Sequence, residues 1–351
     1  MEVQSGRGRA QAWLELRDHR VASMTVDTLL DAVALRGAPL RDVSGVRTPQ
    51  SQFGHVEMLA RLRQDPQGWR FDAPRLRIES GGSKQTLDGL LLGGGARYGL
   101  RAEHVDAAPL LAAAALSDRM DAGLRRWILL AKPTAVLDRV ELAGIRNGAM
   151  RADGKVSGVG FSPVGTGPGL HRLAGTVMAD ANGFVFTPDP SATMDFDWPA
   201  GFGVVHPVTL RGDIAGWREG AGWRFGTDAL KITGTDFGVS TRGGLWFQND
   251  GTRPWIDIAA DIDQAPVPAA KGFLVRHLMA DTTEHWLDTA LVGGHVVNGH
   301  AVVSGDLDNW PFTHQDGLFR ADADLQGAVL QFSPEWPAVE KLDAHDLARC
   351  A

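Results

Sequence analysis

The stretch "IDIAADID", Ile256 to Asp263, decides how the chain is read. Ile256, Ile258 and Ile262 fall on one side of the alternation, and Asp257, Asp261 and Asp263 on the other. Successive side chains of a strand point to opposite faces, so this is a strand with one apolar and one wet face. A strand buried on both sides of a parallel sheet would be apolar throughout. The same period recurs in "FRADADLQ" (Phe319 to Gln326), with Phe319, Ala321, Ala323 and Leu325 aligned. It recurs in "MDFDW" (Met194 to Trp198) and in "HVEMLARLR" (His55 to Arg63), where Val56, Met58, Ala60 and Leu62 align. The 43 glycines and 18 prolines punctuate these runs as turns do. Trp198-Pro199, Trp310-Pro311 and Trp336-Pro337 mark strand ends, because proline cannot sit inside a central strand. The pattern predicts a mainly β, antiparallel fold.

Two segments leave this period. Leu116, Met120, Leu124, Trp127 and Ile128 form a helical stripe within about 109–131. A second helical insertion spans about 271–292, with Asp281 and Glu284 spaced as a capping box and Gly293-Gly294 as its stop. The chain also repeats itself. "GWRFDAPRLRI" (Gly68 to Ile78) returns as "GWRFGTDALKI" (Gly222 to Ile232), and "GFVFTP" (Gly183 to Pro188) resembles "GAVLQFSP" (Gly327 to Pro334). These echoes predict one segment, 1–351, made of units of about 1–160 and 161–315 and the start of another at 316–351.

Composition narrows the chemistry. A net charge of −7 argues against nucleic acid, which wants a basic stripe. The single cysteine, Cys350, allows no intrachain disulfide and no thiolate metal cage. The opening "MEVQSGRGRA" lacks the apolar core of a signal peptide. The longest apolar run, Ala108 to Leu116, falls far short of the ~20 residues of a spanning helix. "GFSPVG" puts Ser162 at the wrong spacing for a nucleophile elbow, and Pro163 removes an oxyanion-hole donor. The glycine-rich stretches "LLGGGARYG" and "GTGPG" fit no phosphate-loop pattern. His295 and His300, five apart in a strand, are expected on opposite faces and so make no metal pair. Asp195 and Asp197 share a face and leave open a hydrolase reading, against the commoner role of solvated strand charges. No metal or cofactor is expected. The 11 tryptophans beside one tyrosine could stack on sugars or, more commonly, anchor core and rim.

The segment "WLDTALVGGHVVNGHAVVSGDLDNWPF" (Trp286 to Phe312) resembles a motif of the YhdP family, within the AsmA-like superfamily of Gram-negative envelopes. Trp286, Leu287, Ala290, Leu291, Gly294, Gly305, Leu307, Pro311 and Phe312 match it, while Trp310 replaces the usual phenylalanine. "FSPEWPAVEKLDA" (Phe332 to Ala344) resembles the strand pair that follows. After Trp127-Ile128 the motif's glycine is absent, and "LDAHDLARCA" loses alternation, which suggests a fragment of a longer chain.

The resemblance implies a repeating β-groove: a twisted antiparallel sheet curled into an open, elongated trough, apolar inside. It implies a non-enzymatic conduit for phospholipid acyl chains between inner and outer membranes, in the periplasm. Anchorage to the inner membrane would lie in regions outside this chain. Met194, Phe196, Trp198, Ile256, Ile258, Ile262, Phe319 and Leu325 are then the expected lining. Periodicity alone favours a closed sandwich, and only the resemblance points to the groove. A β-rich envelope scaffold, or a module binding glycans or proteins, is the alternative function.

Overall fold

The computed structural model describes residues 2–42, 45–80, 83–263, 265–273, 281–333 and 335–350. It is mainly β, with twenty strands in antiparallel pairing and a separate two-stranded ribbon. The chain divides into two units. Unit 1 comprises Met1–Val164 with Thr176–Ala181, and unit 2 comprises Gly165–Gly175 with Asn182–Ala351.

Unit 1 contains β1 (Glu2–Arg17), β2 (Arg20–Arg36), the ribbon β3 (Leu40–Asp42) and β4 (Gly45–Arg47), β5 (Gln50–Asp65), β6 (Gly68–Ser80), β7 (Ser83–Gly95) and β8 (Arg97–Asp106). Helices α1 (Ala107–Ala114) and α2 (Ala122–Ala131) follow, then β9 (Thr134–Ile145) and β10 (Met150–Phe161). Its ladder runs β1-β2-β5-β6-β7-β8-β9-β10, every pair antiparallel. β1, β2 and β5 have 16, 17 and 16 residues, about three times the usual strand length.

The helical stripe read from the sequence is not one helix. The side chain of Asp106 accepts from Ala108 N to start α1, and that of Asp121 accepts from Leu124 N to start α2, so the chain turns between them. Leu116 is fully buried in that turn, whereas Leu124 is exposed. The buried face of α2 is Arg125, Ile128 and Ala131. Arg125 is tolerated because its guanidinium donates to Ala115 O at 2.9 Å and Ala38 O at 2.7 Å.

Strands β11 (Gly169–Asp180), β12 (Gly183–Pro188), β13 (Thr193–Asp197), β14 (Val205–Arg211), β15 (Ile214–Glu219) and β16 (Gly222–Thr233) come next. They are followed by β17 (Gly238–Phe247), β18 (Trp255–Ile262), β19 (Ala265–Pro266), β20 (Leu291–Asp306), β21 (Gly317–Leu330) and β22 (Val339–Cys350). In unit 2, β12-β15-β16-β17-β18-β20-β21-β22 form a continuous antiparallel ladder. β14 and β15 share β16, taking its last and first residues respectively. Gly212 sits between them at φ +124, and a Cβ there would lie 2.1 Å from Ala229 O, so only glycine fits the break. The second insertion contains a 3-10 segment, Val267–Phe273, and α3 (Asp281–Ala290). The side chains of Asp281 and Glu284, the expected capping box, lie outside the described residues.

Bulges interrupt the long strands midway. Register shifts fall between Leu59 and Arg61, Asp153 and Lys155, Thr227 and Leu230, and Val297 and His300. Gly89, Arg139 and Asn298 take positive φ near such points. Each bulge bends its strand and increases its twist.

The buried core is small. Leu87, Ala102 and Val105 form one cluster in unit 1, and Val208, Leu210 and Leu230 one in unit 2. The chain exposes 21172 Å². A compact globule of its mass would expose about 13,800 Å², and two separate globules of half the mass about 16,600 Å². The exposed surface exceeds both figures.

Candidate functional site

Directly opposed residues of an antiparallel pair share a face, so the register assigns each side chain. In unit 2, Phe225 opposes Leu245, which opposes Ile256. Ile258 opposes Val303, and Val303 opposes Phe319. Met194 opposes Val208, two residues from Leu210, which leads through Ile232 and Val239 to Ile262. Leu325 opposes Val296 and shares the alternation of Phe319. Seven of the eight expected lining residues therefore fall on one face of unit 2. All are half-buried, neither packed away nor fully wet.

The eighth, Trp198, lies just past β13 in a cluster of rings. Its centroid is 5.2 Å from Phe202, and its indole N–H donates to Thr166 O at 2.7 Å. Phe202 also meets Phe196 at 6.0 Å and Phe273 at 5.6 Å, and Phe273 stacks on His206 at 4.6 Å. This end of the apolar face is filled by the protein's own aromatics. Elsewhere, Phe312 is fully buried. It lies against Gly305 and Gly317, where an added Cβ would come within 2.7 and 2.3 Å of its ring. Trp310 packs on both Phe312 and Phe319. Phe202 and Phe273 escaped the sequence reading because they lie outside the strands, where no period-two alternation announces a direction.

Unit 1 has an equivalent face. Thr28, Met58, Leu76 and Leu87 oppose one another across four strands, and Leu62, Phe71, Leu92, Leu100 and Leu142 across five. The repeated "GWRF" takes the same position in both units. It opens β6 and β16, with Phe71 and Phe225 on the apolar faces and Arg70 and Arg224 on the polar ones.

The opposite faces are stapled by arginine–carboxylate ion pairs and histidine–carboxylate hydrogen bonds. Arg75 and Arg77 both reach Glu57, at 3.1 and 3.0 Å. His104 holds Asp138 at 2.6 Å, and His55 holds Asp31 at 2.8 Å. In unit 2 Asp261 accepts from His300 at 2.8 Å and Arg242 at 3.3 Å. The hydrogen bond from His300, aided by the charge of Arg242, holds the Asp261 carboxyl below the usual carboxylate range.

Asp195 is clasped by both Nε and Nη2 of Arg172, across β11 and β13. It is thereby committed to a cross-strand pair, while Asp197 opposes Gly169. His295 and His300 correct an expectation: the extra residue at Asn298 restores phase, and both face the polar side. They still stand four positions apart, about 13 Å, too far to share one ion. No cluster able to hold a metal occurs among the described residues.

The comparisons with known proteins agree with one another. The YhdP family profile, described as "YhdP protein", matches residues 1–348. A protein of Escherichia coli (strain K12), named "Intermembrane phospholipid transporter YhdP", is 26% identical over 183 residues. That match takes in 50% of this chain and 14% of the relative, so the chain corresponds to a small part of that protein's length. No solved structure matches.

Proposed function

The chain belongs to the YhdP family, and from that premise we propose that it is a lipid-conduit segment. It carries phospholipid acyl chains along its apolar faces, by passive shelter rather than by catalysis. The conduit works in the periplasm between the inner and outer membranes. The repeat units of about 1–160 and 161–315 are, on this reading, successive lengths of one open groove. Met194, Phe196, Ile256, Ile258, Ile262, Phe319 and Leu325 line it, and Trp198 helps close one end.

The observation that supports the proposal is the apolar face of unit 2, built row by row from residues that are only half-buried. Each methylene withdrawn from water contributes about 0.8 kcal/mol, so sheltering a 16-carbon chain is worth about 12 kcal/mol. A continuous apolar surface supplies most of that without binding any one position tightly, which lets a chain slide. The polar face keeps the other side of the sheet wet through its ion pairs.

Alternating photocrosslinking tests the reading. A photoreactive residue at Ile256 or Ile258 should capture phospholipid from the envelope, identified by mass spectrometry, and one at Asp257 or Asp261 should not. Ile258→Asp and Phe196→Asp should reduce co-purified phospholipid several-fold while circular dichroism stays β-type. Equal capture in both phases, or normal loading of the two Asp variants, would overturn the conduit.

A further inference from the structure

A hollow within unit 2 involves the face turned away from the proposed lipid path. It is an open depression of about 870 Å³. Trp217 opposes Arg224, Arg224 opposes Trp246, and Trp246 opposes Trp255, so four side chains form one straight row across β15, β16, β17 and β18. The adjacent row is Ala215, Gly226, Gly244 and Asp257, small for three of its four members. Missing side chains make the floor, and the tryptophan row makes a wall. The tip of the Trp217 ring lies 3.5 Å from where a Cβ on Gly226 would stand, so the indole leans over that floor. Trp217 and Trp255 are 39% and 38% exposed. Trp246 Nε1, in the same row, is buried and has no hydrogen-bond partner among the described residues.

We propose that this hollow binds a neutral oligosaccharide, stacked on the Trp217–Arg224–Trp246–Trp255 row. The row crosses three strand spacings, about 14 Å, the span of a short glycan. Sugar rings present C–H faces to indole and hydroxyl edges to carboxylates, and Asp228 and Asp257 border the hollow without ion-pair partners among the described residues. A phosphate-bearing ligand fits less well. Arg224 is already paired with Glu219 and Arg242 with Asp261, and three aspartates, Asp213, Asp228 and Asp257, share the lining. An aromatic cage for an ammonium group is also disfavoured. The rings stand in a line, and the Arg224 guanidinium occupies the face of Trp246 at 5.5 Å. This inference does not depend on lipid carriage, which uses the opposite face.

The test is calorimetric titration of the full chain with cellohexaose and with chitohexaose. At least one should bind saturably, with an affinity unchanged by added salt because the ligand carries no charge. Trp217→Ala and Trp255→Ala should each weaken it at least about fivefold, the measure of a lost aromatic stack. Trp217→Phe and Trp255→Phe should retain most of it, and Trp13→Ala, exposed in unit 1, should leave it unchanged. The proposal is overturned if neither hexaose binds, or if the Trp217→Ala/Trp255→Ala double variant, folded by circular dichroism, still binds as before. Lipid loading measured on the same variants should not change, which separates failure here from failure of the conduit.

Discussion

Ile258 and Asp257 are chain neighbours that serve opposite solvents, and the separation is enforced by single residues such as Gly222. This glycine opens the second "GWRF", and a Cβ on it would stand 2.0 Å from Phe247 O. Gly68 opens the first, with a Cβ 2.1 Å from Gly94 O. In both units the strand after the turn approaches too closely for any side chain. The motif therefore repeats because the hairpin geometry repeats, with Trp and Phe delivered to one face and Arg to the other. Gly222→Ala should lower stability by about 1–3 kcal/mol, the usual cost of overpacking, because the obstructing atom is backbone and cannot rotate away. Thermal or urea unfolding would measure this, and an unchanged midpoint would mean the hairpin has slack the structure denies. Neither glycine takes a left-handed φ, so the requirement comes from neighbouring backbone rather than from torsion, which sequence inspection cannot see.

At the scale of the strand, the polar face adds a pH dependence. Hydrogen bonding from His300 lowers the Asp261 carboxyl, and hydrogen bonding from Arg75 and then Arg77 lowers that of Glu57. A carboxylate whose folded pKa lies below its unfolded value contributes stability above the unfolded value, about 4, and loses it as pH falls through the folded one. The unfolding midpoint should accordingly hold between pH 7 and about 5 and decline below about 4, with a shallower decline in Asp261→Asn. Because these groups are exposed, added salt should flatten the same curve. A midpoint that does not move with acid would mean the pairs contribute nothing measurable.

The strands were legible for a related reason. Period-two alternation survives wherever one face stays wet, as in Ile256 to Asp263 and Phe319 to Gln326. Bulges were not legible, since one inserted residue carries no compositional mark. His295 and His300 were assigned opposite faces on unbroken alternation and share one because of Asn298. The helical stripe failed similarly: the Asp121 cap restarts the helix and leaves Leu124 exposed. The tryptophan row was invisible for a third reason. Trp217, Trp246 and Trp255 are separated in sequence and aligned only by register.

For the whole molecule, the deciding quantity is the area that folding leaves uncovered. The exposed surface exceeds what two independent compact globules would show, although 44% of residues are hydrophobic. That combination fits a protein whose apolar faces have another occupant. The argument applies to each unit separately, because each has its own apolar rows and its own ion-paired opposite face. A conduit serves only if both units shelter the same ligand. Photoreactive residues at Met58 and Leu76 in unit 1 should therefore capture the phospholipid captured at Ile258 in unit 2. Those at Glu57 and Arg77, on the polar face, should remain silent. Delipidated protein should bind an apolar fluorescent dye, and added phospholipid should displace it. Capture confined to one unit would reduce the molecule to a local lipid-binding site. Capture in both, in the same alternating phase, would require the two faces to do the same work along the chain.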